Sequence, residues 1–78
     1  MRNGFKQEQR RRDGAYVRVA RDLVNETQAA FARRLGTTQR YVSFYEDGTF
    51  YTPLDILEAC ESLVDGSVIV SRGPGHKD

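Results

Sequence analysis

Gly36 constrains this chain more than any other residue. It stands between two short amphipathic segments, 28–35 and 38–46. Glycine enters the left-handed conformation at little cost, so it can stop one helix and turn the chain into the next. Thr27 is placed to cap the first segment and Thr37 the second, because a threonine hydroxyl accepts a hydrogen bond from an open amide of the following turn. Phe31, Ala32 and Leu35 share one face of the first segment, and Val42 and Tyr45 face inward on the second. Ala32 is small where two helices must cross closely, and Leu35 and Val42 fill the angle between them. Asp47-Gly48 ends the pair with turn chemistry.

Two more helices are predicted around this pair. Tyr16, Val17, Ala20, Leu23 and Val24 recur at helical spacing over roughly 13–24. After a loop at 49–52, Pro53 suits a helix start. Leu54, Leu57, Ala59, Cys60, Leu63 and Val64 then form an apolar stripe, with Asp55, Glu58 and Glu61 on the wet side and Asp55 near the positive end of the dipole. Asp65-Gly66 reads as a turn, and the β-branched run from Ser67 to Ser71 as one strand. A lone strand needs a partner. It either pairs antiparallel with a second copy about a two-fold axis, making 67–72 a dimerisation strand, or packs back on the helices. Residues 1–12 read as a flexible basic arm, 13–66 as the helical domain and 73–78 as a disordered tail.

Composition narrows the function. At 78 residues there is room for one domain with a modest core. One cysteine, Cys60, excludes an internal disulfide, and one histidine, His76, leaves too few ligands for the usual structural zinc site. No metal or cofactor is expected. No apolar run approaches the ~20 residues of a membrane span, and no apolar stretch follows Arg2 and Lys6 as in a secretory signal. A reducing cytoplasm is the expected location. An enzyme is not expected: Cys60 lies on an apolar stripe, His76 in the tail, and Gly73-Pro74-Gly75 lacks the lysine a phosphate-cradling loop requires. Net charge is only +1, but Arg10, Arg11, Arg12, Arg18, Arg21, Arg33, Arg34 and Arg40 fall within the first 40 residues, and 47–65 has no Lys or Arg. That polarity suits a molecule with one side turned to DNA, and it also suits a solvated basic arm with no partner.

The outward face of the second short segment holds Thr38, Gln39, Arg40, Ser43 and Phe44. Glutamine and arginine make bidentate hydrogen bonds to adenine and guanine edges in the major groove, and a helix enters that groove with its N-terminal residues against the bases. The stretch Thr27-Gln28-Ala29, Phe31-Ala32, Leu35-Gly36, Thr37-Thr38-Gln39, Val42 and Tyr45-Glu46-Asp47-Gly48 resembles the Cro/repressor-type (XRE-like) helix-turn-helix family of small transcriptional regulators, over roughly 16–64. The resemblance implies a mainly α, four-helix, lambda-repressor-like domain, here with a short C-terminal β-strand. It implies a homodimer on a palindromic operator in double-stranded DNA, acting as a repressor, with reading helices ~34 Å apart. It assigns DNA contacts to Gln28, Thr37, Thr38, Gln39, Arg40, Tyr41, Ser43 and Phe44. Gln28 would hold a phosphate and buttress the reading helix. Arg21 and Glu46 occupy positions of a partly buried ion pair.

Two positions depart from the family pattern. Glu26 stands where an apolar residue is usual, and Phe44 replaces a polar one. Phe44 either touches a thymine methyl or folds back under the loop at 49–51. The cluster Tyr41, Phe44, Tyr45, Phe50 and Tyr51 reads as packing rather than base stacking, since this architecture takes duplex. Arg10, Arg11 and Arg12 either reach a phosphate or minor groove or remain a solvated tail. The competing function is an antitoxin-like module that binds a partner protein, with its docking surface in the acidic stretch 47–65, and represses its own promoter.

Overall fold

The computed structural model describes residues 2–77, with side-chain surroundings for 6–66. It is built from four helices: α1 (Arg2–Leu23), α2 (Gln28–Leu35), α3 (Gln39–Glu46) and α4 (Leu54–Lys77). Among the described residues there is no strand, and no helix is long and apolar enough to cross a membrane.

Local chemistry sets most boundaries. After α1, Asn25 takes a left-handed φ of 55°, a conformation asparagine tolerates better than most residues. Thr27 caps α2, its hydroxyl accepting from the Ala30 amide at 3.1 Å. Gly36, at φ 75°, ends α2 and lets the Thr37 amide donate back to the Ala32 carbonyl at 2.9 Å. The second cap is Thr38 rather than the expected Thr37: the Thr38 hydroxyl accepts from the Tyr41 amide at 3.2 Å, so α3 begins at Gln39. Beyond α3, the Asp47 carboxylate accepts from the Thr49 amide at 2.9 Å and the Thr49 hydroxyl at 2.6 Å, which closes the turn. The Pro53 carbonyl accepts from the Leu57 amide at 3.0 Å as α4 starts.

Each helix sends its apolar stripe to one core. Val17 and Ala20 come from α1, Phe31 and Ala32 from α2, Val42 and Tyr45 from α3, and Ile56 and Cys60 from α4, with Tyr16, Val24, Leu35, Leu63 and Val64 around them. Burying a side chain such as Phe31 or Val17 is worth about 1.5–3 kcal/mol. α1 packs against α3 and α4, and α2 against α3. The α1–α3 crossing is close because Gly14 has no side chain: a Cβ there would collide with the Tyr45 carbonyl oxygen and lie 2.9 Å from that of Glu46.

Three further expectations are corrected. The flexible arm at 1–12 is helical from Arg2 onward. Its second half has something to rest on: Arg10 Nε donates to the Gly48 carbonyl at 2.9 Å, and its guanidinium carbon lies 5.0 Å from the centre of the Tyr51 ring. The expected strand at 67–71 and tail at 73–78 give way to α4, whose backbone is helical to Lys77. Over 67–71, an unpartnered strand leaves its amides and carbonyls unbonded, whereas a helix closes them internally, and β-branched residues cost a helix only a few tenths of a kcal/mol each; that reason does not extend to Gly73-Pro74-Gly75. The side chains of the proposed dimerisation segment lie outside those described, as does the structure of residue 78.

Candidate nucleic-acid interface

The inner face of α3 is committed to the core through Val42 and Tyr45. The opposite face carries Gln39, Arg40 and Tyr41, all exposed, with Ser43 and Phe44 half-buried beside them. Gln28, at the first position of α2, completes an open cleft of about 490 Å³ lined by Gln28, Gln39, Arg40, Ser43 and Phe44. The eight sequence-predicted contact residues thus divide. Five share the cleft. Thr38 is exposed, but its hydroxyl is occupied as the α3 cap. Thr37 is half-buried beside the Tyr45 phenol. Tyr41 lies flat on Tyr45, with ring centres 6.2 Å apart and planes 15° apart, and meets the edge of Phe44.

The Glu46 carboxylate fixes α3 about its own axis. Arg21 grips it with two donors, Nε to Oε2 at 2.7 Å and Nη2 to Oε1 at 3.1 Å. Gln28 Nε2 donates to the same Oε1 at 3.0 Å. Arg21 also donates from Nη1 to the Glu26 carbonyl at 2.9 Å. The pair is largely shielded from water, with side-chain exposures of 16% for Arg21 and 7% for Glu46. The hydrogen bonds to Glu46 push the guanidinium pKa of Arg21 above its ordinary value. One carboxylate on α3 is therefore held by donors from α1 and α2. The Gln28 amide nitrogen, expected on a phosphate, is engaged with Glu46.

Phe44 lies against the following loop, its ring centre 4.7 Å from that of Phe50, while the same side chain lines the cleft. Phe44 therefore packs on the loop, as one of its two expected placements has it, and still contributes to the cleft lining with Gln39, Arg40 and Ser43. Glu26, one of the two positions where the sequence carries an unusual residue, forms a two-pronged pair with Arg34 at 3.1 and 2.6 Å. The hydrogen bonds from Arg34 hold its carboxyl below the usual range. Two contributions escaped sequence reading. Gly14 interrupts a helical pattern, which is itself a signal of close backbone approach. The anchoring of Arg10 on Gly48 and Tyr51 joins positions distant in sequence and leaves no local mark.

Among the described residues no His, Cys, Asp and Glu side chains group in a way that could hold a metal ion. No family model, curated protein or solved structure matches this chain.

Proposed function

We propose that this chain is a sequence-specific double-stranded-DNA-binding protein of the helix-turn-helix type, a cytoplasmic transcriptional repressor that reads the major groove with α3. One observation carries the reading: Gln39 and Arg40 stand exposed in the first turn of a helix whose opposite face and rotation are locked by Val42, Tyr45 and Glu46. These are the side chains suited to bidentate contacts with adenine and guanine, carried on a short helix that the rest of the molecule holds still. Ser43 and Phe44 extend the same face, Phe44 offering an apolar surface to a thymine methyl. A two-fold pair of such molecules would set two α3 helices ~34 Å apart on a palindromic operator.

Selection of bound duplexes from a random pool, followed by titration of the recovered site, tests this. Gln39→Ala and Arg40→Ala are each expected to cost ~1–3 kcal/mol on the selected site and to relax preference at one base pair. Unchanged affinity and preference when both are replaced would overturn the reading.

A further inference from the structure

The loop that follows α3, residues 47–53, contains no lysine or arginine and carries Asp47. A loop beside a groove-reading helix passes the phosphate backbone, where such a composition contributes no attraction. The folded N-terminal half of α1 supplies cations at this place. Arg10 lies over the loop, bonded through Nε to the Gly48 carbonyl and set above the Tyr51 ring. Among the described residues, only Nε of this guanidinium has a hydrogen-bond acceptor. Arg11 is exposed and lies so close over Gly48 that a Cβ on Gly48 would meet its Cγ at 2.8 Å.

The loop beneath these arginines also packs on the α3 face. Tyr51 is 53% exposed and follows Phe50, which is 41% exposed. Phe50 in turn packs on Tyr41 at 5.9 Å and on Phe44 at 4.7 Å between ring centres. The loop under Arg10, which offers it the Gly48 carbonyl and the Tyr51 ring, is therefore the same loop that packs through Phe50 on Tyr41 and Phe44 of α3.

We infer that Arg10 and Arg11 form a phosphate clamp beyond the C-terminal end of α3, binding the phosphodiester backbone of the duplex whose bases α3 reads. The inference rests on the proposed DNA-binding function and deepens it. Arg10 is pre-oriented by Gly48 and Tyr51, so it loses little freedom on meeting a phosphate. Arg11 adds charge beside it. Neither reaches a base, so the clamp strengthens binding to every sequence alike.

The test is the dependence of affinity on potassium chloride, measured on the selected duplex and on a scrambled one, for the natural chain, Arg11→Gln, Arg10→Gln/Arg11→Gln and Gln39→Ala/Arg40→Ala. Each phosphate that is no longer neutralised should lower the magnitude of the log–log salt slope by about 0.9. In the double arginine variant the slope is expected to fall by about twice that on both duplexes while the sequence preference is kept. An unchanged slope in that variant, with Gln39→Ala/Arg40→Ala abolishing the preference, overturns the clamp and leaves the proposed function standing. If Gln39→Ala/Arg40→Ala also leaves the preference intact, function and clamp fall together. Should the double variant lose helix content by circular dichroism, Arg11→Gln decides alone, since that side chain is exposed and donates no hydrogen bond to the described residues.

Discussion

Glu46 shows how much one side chain can organise. Its carboxylate is nearly out of water, and its three hydrogen bonds come from two other helices. Burying a charge is costly unless its partners stay in place, so removing one member of such a pair hurts more than the pair itself is worth. Glu46→Ala is expected to destabilise the fold by about 3–5 kcal/mol, whereas replacing Arg21 and Glu46 together with apolar residues of similar volume should recover most of that loss. Urea titrations with an unchanged m-value would establish both outcomes. The partnership of Arg21 and Glu46 was legible only through likeness to a family pattern, because residues so far apart in sequence leave no periodic signal. The pairing of Glu26 with Arg34 was not legible at all: the chain turns between them at Thr27, and only the finished turn brings them within reach.

Gly14 sets the spacing of α1 on α3. In an exposed helix, alanine is favoured over glycine by about 0.8–1 kcal/mol. At this crossing the sign reverses, since a methyl group would push into the Tyr45 carbonyl. Gly14→Ala is expected to destabilise by about 1–3 kcal/mol, the range for overpacking. Gly66→Ala, in α4 with nothing among the described residues within 4 Å of the added carbon, should stabilise slightly. Thermal unfolding of the two variants would show shifts of opposite direction. The same contrast explains which helices could be read beforehand. α2 and α3 are bounded by threonine caps and a left-handed glycine, chemistry that acts within a few residues and is visible in the sequence. Only the choice between the adjacent Thr37 and Thr38 went astray. The first half of α1 is polar and carries no apolar stripe; its contact with Gly48 and Tyr51 depends on the loop after α3 already being folded. The continuation of α4 past Gly66 was hidden for the opposite reason. Its β-branched residues prefer strands, and that preference has no expression without a neighbouring strand to pair with.

All four helices share one core, and Cys60 lies fully buried within it. Burial pushes its thiol up to about 11 from an ordinary 9.0. A group whose folded-state pKa is raised keeps its proton in the folded chain when the unfolded chain releases it. The stability it contributes is thus complete below about pH 9 and is lost as the pH climbs towards 11. At neutral pH, alkylation of Cys60 should proceed no faster than the molecule opens, and addition of urea should accelerate it steeply. Rapid native-state labelling would show that the core opens locally. Around this interior, the side chains divide by duty. Val42, Tyr45 and Glu46 hold α3 in place, while Gln39 and Arg40 make no hydrogen bond or ion pair with any described residue. Scaffold and vocabulary are therefore written in different letters of the same helix. Exchanging the two outward residues for other polar pairs should leave folding intact and, under the proposed function, alter only which duplex is preferred, a starting point for re-targeted variants.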